Sequence, residues 1–382
     1  MEMTERERPR RLRLLTATLV VVGAFAAPAI AQAANSWAVV NSAGTLVRGA
    51  GVTAAARLST GTYQVTFSKN QTGCGYVATP GDTGAGAVSG PILATVASRS
   101  GNAPALFIQT FDQSSGALSD QPFHVETYCG KNRFAVVDST GALARGSHVV
   151  SASHLGTGSY EVIFDSNVNK CSFQASIGTT GAGAVSSPGL ITVAGRAGNT
   201  AGVFVKIVDR TGNPLDSSFH LAVNCGAKKL IGVIESTGAK VRGSHVVSSA
   251  KLGGVNGGTY EVIFDQNVAA CAYTATVGVT GNGGSIGPPP VTISTATRAG
   301  NPNGVFVFVH QADGSTIDEP FHLNVICGAT VLTTATTAPS GGSLQDAPSD
   351  RPSPLRGGAS PDPLNGSVGA AVTGDAPDDD DG

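Results

Sequence analysis

The stretch "GTYEVIFD" at 258–265 stands almost unchanged as "GSYEVIFD" at 158–165 and as "GTYQVTFS" at 61–68. Within it Tyr260, Val262 and Phe264 alternate with Thr259, Glu261 and Ile263. Side chains of an extended strand point to opposite faces in turn, so this period of two reads as a strand buried on one face. Three copies of one strand imply three copies of what surrounds it.

Outward from that strand, the rest of the unit repeats in the same order. Trp37, Phe134 and Ile231 open copies that lie 97 residues apart. The turns "NSAGTLVRG", "DSTGALARG" and "ESTGAKVRG" follow, then the quoted strands, then Cys74, Cys171 and Cys271. Each cysteine precedes an aromatic residue by two positions: Tyr76, Phe173 or Tyr273. The copies close on "QPFHVETYC", "SSFHLAVNC" and "EPFHLNVIC". Runs rich in Val, Ile, Thr and aromatics, punctuated by Gly, Asn, Asp and Pro, give about eight short strands per copy. For copy two they fall near 134–138, 142–146, 148–154, 159–165, 171–177, 190–195, 202–208 and 219–225. The expected fold is all-β: three tandem antiparallel β-sandwich domains, immunoglobulin-like or jelly-roll-like, at 34–130, 131–227 and 228–328.

Both ends read differently. Residues 1–33 carry five Arg near the start and then the apolar run "LLTATLVVVGAFAAPAIAQA". That is the pattern of a cleaved export signal, with cutting expected after Ala31 or Ala33. Residues 329–382 hold two Arg and eight Asp, many Pro, Gly and Ser, and few large apolar side chains. Such a tail cannot bury a core and is expected to be disordered, its terminal "DDDDG" a solvated charge run. Between the ends, seventeen Lys and Arg face fifteen Asp and Glu. A near-neutral body offers no basic footprint for nucleic acid. The expected protein is secreted, possibly surface-associated, with no transmembrane segment after signal cleavage.

The six cysteines fall two per copy, and export favours disulfides. The repeat leaves each copy one pairing within itself: Cys74 with Cys129, Cys171 with Cys225, Cys271 with Cys327. An inter-sheet staple beside aromatic packing is the expected geometry. Parity places Phe123, Phe219 and Phe321 inward and His124, His220 and His322 outward, on a solvated sheet face. Glu161 and Glu261 share that outward expectation, while copy one has Gln64 at the same place, which excludes a His–Glu acid–base pair common to all copies.

Other chemical signals are weak. "GGSIG" at 283–287 fits a nucleophile pattern but sits in a Gly-rich loop, not a strand-to-helix turn. "DQSSGALSD", "DRTGNPLD" and "DGSTID" place two Asp in a loop, too few oxygens for calcium. No copy has zinc-ligand spacing. No cofactor or metal is expected. Arg48, Arg145 and Arg242 follow the first turn, and Arg99, Arg196 and Arg298 open "R-x-G-N". Repeated arginines near loops could contact an anionic or carbonyl-rich ligand.

The order "GTGSYEVIF", a Cys-x-aromatic step, a "VFV" strand and a closing "FHLAV" strand resembles repeat modules of secreted bacterial proteins. It is also similar to the "GTGxYxVxF" modules of phage tail-fibre-type surface proteins. The resemblance spans residues 37–328. In fibres such modules form β-sandwiches that display loops or act as spacers, so it implies display or binding. The sequence expectation is therefore an exported, non-enzymatic binding, adhesive or structural protein with a surface ligand, protein or polysaccharide. The alternative is a polysaccharide hydrolase with a loop-borne carboxylate pair.

Overall fold

A computed structural model describes residues 35–86, 90–185, 188–283 and 291–328. The expected signal, the tail from 329 and nearly all of the "GGSIG" frame lie outside these residues. Among the described residues, every regular element is a strand. Copy one contains β1 (Trp37–Val40), β2 (Leu46–Ala50), β3 (Val52–Ser59), β4 (Thr62–Phe67), β5 (Gly75–Pro80), β6 (Ile92–Ser98), β7 (Ala105–Asp112) and β8 (Phe123–Tyr128). Copy two contains β9 (Arg133–Val137), β10 (Leu143–Ser147), β11 (Val149–Gly156), β12 (Ser159–Phe164), β13 (Ser172–Ala182), β14 (Gly189–Gly195), β15 (Gly202–Asp209) and β16 (Phe219–Asn224). Copy three contains β17 (Leu230–Ile234), β18 (Lys240–Ser244), β19 (Val246–Lys251), β20 (Thr259–Phe264), β21 (Ala272–Asn282), β22 (Val291–Thr297), β23 (Gly304–Gln311) and β24 (Phe321–Ile326). The eight strands expected of copy two are all present, each within a few residues of its expected place except for the longer end of β13.

Each copy is a sandwich. Its inner sheet has the order β2-β1-β8-β5 and its outer sheet β6-β7-β4-β3, with the same orders in copies two and three. The quoted strand is β4, β12 or β20, in the outer sheet. Its alternate residues Tyr63, Val65 and Phe67 meet Ala38, Tyr76 and Phe123 of the inner sheet in the copy-one core. The inner sheet departs from this alternation. Every residue of β5, β8, β16 and β24 is buried. A strand buried throughout has something packed on both faces.

That second neighbour is the other copies. β6 runs parallel to β13, and β14 runs parallel to β21, so an outer sheet continues into the next copy's inner sheet to make eight strands. At the third seam Gly81 bridges Thr295, again in parallel. Copy three thereby returns to copy one and closes a ring. Close backbone approach at all three seams requires glycine. A Cβ on Gly178 would lie 2.3 Å from the Val96 carbonyl oxygen, and one on Gly278 2.5 Å from that of Val193. At Gly81 the corresponding distance to the Thr295 carbonyl is 2.7 Å. Apolar clusters fill the seams, with Tyr128, Phe134 and Ala222 between copies one and two, and Trp37, Ala272 and Ile326 between copies three and one.

All three disulfides form within their copies, with Cα–Cα separations of 4.5, 4.4 and 4.5 Å. The expected inter-sheet staple is corrected, however. Cys74 directly precedes β5 and Cys129 directly follows β8, and these strands are hydrogen-bonded neighbours in one sheet. Each disulfide therefore locks the last two strands in the order of an inner sheet, not the two sheets of a sandwich. Closing a loop of 54 to 56 residues stabilises the fold by roughly 4 kcal/mol in the chain-entropy model.

Ring closure brings the two ends of the described chain together: a Cβ on Gly328 would sit 3.6 Å from Trp37 Nε1. A circular permutant that joins residue 328 to 35 through a short linker and opens between Gly130 and Lys131 should fold with all three disulfides. Its melting temperature should lie within a few degrees of that of the unpermuted 34–328 chain, as scanning calorimetry would read.

Candidate functional site

The closing strand of each copy carries Phe-His, and the inner sheet points the Phe into its own core and the His at a neighbour. The expected solvated face is corrected here, since His124, His220 and His322 are fully buried. Each imidazole accepts at Nδ1 a backbone N–H from another copy: Tyr76 N–H donates to His220 at 3.0 Å, Phe173 N–H to His322 at 3.0 Å, and Tyr273 N–H to His124 at 2.8 Å. On the other side Nε2 lies 3.0, 2.9 and 3.1 Å from the carbonyl oxygens of Asp82, Thr179 and Val279. A backbone N–H can only donate and a carbonyl can only accept, so each ring is the neutral Nε2–H tautomer. Burial pushes all three histidines down to about 3.

The arginines after the first turn reach the same places. Arg48, Arg145 and Arg242 donate through Nε to the carbonyls of Cys271, Cys74 and Cys171, at 3.0, 2.8 and 2.9 Å. Their Nη1 groups donate to Thr83, Thr180 and Thr280 carbonyls of their own copies. These arginines do contact carbonyls, but those of the protein itself. Arg145 also lies over the Tyr76 ring and Arg242 over Phe173, at 5.5 and 5.8 Å from the centroids. The Cys-x-aromatic step thus places a ring between the His and the Arg of the next copy. Beside it, Ser176, Thr276 and Thr79 each use one hydroxyl to bond both backbone groups of Ala78, Ala175 and Ala275. These three hydroxyls were not singled out in the sequence. Their recurrence two residues before the seam glycine was the available signal.

One part of the interior breaks the threefold pattern. Glu126 is buried where copies two and three have Ala222 and Asn324. It accepts hydrogen bonds from Asn35, Tyr128 and Asn324, at 2.8, 2.6 and 2.7 Å. Burial nonetheless raises its carboxyl above the usual range. Elsewhere all three copies line a small cavity of about 60 Å³, in which Leu93 and Leu190 meet Thr292.

The second arginine set lies on the outward face of the outer sheets. Arg196 pairs with Glu161, Arg298 Nε lies 2.6 Å from Glu261, and Arg99 Nε donates to Gln64 at 2.9 Å. All three are half-buried cross-strand pairs. Directly opposite Gln64, Glu161 and Glu261 stand Phe107, Phe204 and Phe306. The aspartates of the loop pairs close turns: Asp209 accepts from Thr211 and Asn213, and Asp216 accepts from Gly158 N–H, Tyr160 and His154. Among the described residues no His, Cys, Asp and Glu group of metal-binding size occurs.

In comparisons with protein-family models, curated proteins and solved structures, no match was found. The resemblance to secreted repeat and tail-fibre-type modules rests on the motifs quoted above.

The histidines set a pH dependence. An unfolded His takes up a proton below about 6.5, while the folded rings stay neutral to about 3. The histidines' share of the stability is therefore full above pH 6.5 and falls as the pH drops towards 3, by about 1.4 kcal/mol per pH unit for each His. The substitution His322→Leu should cost about 1–3 kcal/mol at pH 7.5, because the buried Phe173 N–H loses its acceptor. It should also flatten the acid slope by one histidine's share, as urea unfolding across pH 4–7 would show.

Proposed function

We propose that this chain is an exported, non-catalytic protein that binds or structures material at a cell surface or in an extracellular matrix. The single observation that carries this reading is where the recurring polar residues go. The His, one Arg and the Ser or Thr of each copy are all engaged in seams between copies. Recurring side chains that act on the protein's own backbone fit a scaffold. What recurs at the surface is three copies of one outer sheet, which fits presentation to an extended or repetitive partner. The three disulfides accord with an oxidising location. Among the described residues no helix is long and apolar enough to cross a membrane.

A pull-down of the oxidised protein on purified cell wall, chitin, cellulose and whole envelope tests this, with a reduced sample as control. Saturable retention that reduction abolishes is the expected result. Failure to bind any of the four would remove the adhesive reading.

A further inference from the structure

The outer sheets carry a recurring constellation that the seams do not use. On each outward face an arginine from β6, β14 or β22's end reaches across the middle strand to Gln64, Glu161 or Glu261. The middle strand makes room for it: a Cβ on Gly202 or Gly304 would lie 2.6 Å from the Cβ of Arg196 or Arg298. Two residues further along stands the half-exposed phenylalanine, Phe107, Phe204 or Phe306. In copy one the Arg99 guanidinium lies 5.7 Å from the Phe107 centroid, so ring and fork belong to one patch. Copy three extends its patch with Phe308, whose centroid is 6.0 Å from that of Phe306.

These residues are accessible. Arg196 and Glu161 keep 33% and 22% of their side-chain surface, and Arg298 and Glu261 keep 31% and 26%. Among the described residues no hydrogen bond engages the Nη groups of Arg196 or Arg298, nor the second oxygen of either carboxylate. A patch with a planar apolar ring, free N–H donors and free oxygen acceptors matches a molecule with an apolar face and hydroxyls around its edge. In copies two and three the charges cancel, which favours an uncharged partner over an anion.

We propose that each outer sheet carries one subsite for a neutral polysaccharide, with a pyranose ring stacked on the phenylalanine and its hydroxyls held by the arginine and its partner. This rests on the proposed surface-binding function and names its ligand class. Three weak subsites on one rigid body would act together, so the affinity for a polymer exceeds that for a single sugar.

The test is affinity electrophoresis of the full oxidised chain in gels containing laminarin, hydroxyethylcellulose, xylan or mannan. The variants are F107L/F204L/F306L, which keeps apolar volume but removes the flat ring, and F107Y/F204Y/F306Y, which keeps the ring. Wild type and the Tyr variant should be retarded by at least one polymer, with the apparent affinity of the Leu variant lowered tenfold or more. Intact disulfides and an unchanged circular dichroism spectrum check that each variant is folded. A single F306L substitution, with a smaller but measurable loss, serves if the triple variant does not fold. Undiminished retardation of the folded Leu variant overturns the proposal, as does no retardation of wild type by any polymer. Envelope pull-down separates the two claims. If wild type still binds envelope, only the sugar subsites fall; if it binds neither, the surface-binding function falls with them.

Discussion

A backbone N–H of one copy donated to a neutral histidine of the next is the bond around which the rest of the interior is arranged. Three such bonds run in one cyclic direction, from copy one to two, two to three, and three to one. Each needs its imidazole uncharged, because a protonated ring would present an N–H to the N–H of its partner. Burial enforces that condition. The same contacts place the Arg and Ser or Thr of each seam on carbonyls and amides that would otherwise be buried without partners, a cost of about 1–3 kcal/mol for each group. Hydrogen bonds to backbone suit this task, since the backbone is the one feature the three copies share regardless of side-chain differences.

The seams also explain why three similar sandwiches form one body. Parallel pairing carries the sheet of one copy into the next, and glycines at 81, 178 and 278 allow the approach. Where the copies have diverged, the interior has diverged as a set. Glu126 in copy one is answered by Asn324 in copy three and by Asn35 ahead of the first strand. A buried Glu126 with three donors distinguishes copy one from its neighbours.

Much of the fold could be read from the sequence, because it is local and repeated. Alternation in "GTYEVIFD", the turn residues and the cysteine spacing were enough for the strands, the copies and the disulfide partners. The polar face of the inner sheet is not legible in the sequence, for a physical reason. Parity correctly placed His124, His220 and His322 opposite the phenylalanines, but a polar face read from one sequence looks the same whether it meets water or the polar groups of another copy. The sequence points to disulfides between sheets because parity says which face a cysteine occupies and not which strand lies beside it. The arginines posed the same problem. Six recur, and only the folded arrangement divides them into three that hold the seams and three that remain on the surface.

Seams of this kind make the three copies one cooperative unit and not three independent domains on a string. Differential scanning calorimetry of residues 34–328 at neutral pH tests it most directly. A single transition is expected, with calorimetric and van't Hoff enthalpies that agree. Three resolved transitions, or a calorimetric enthalpy about three times the van't Hoff value, would contradict it.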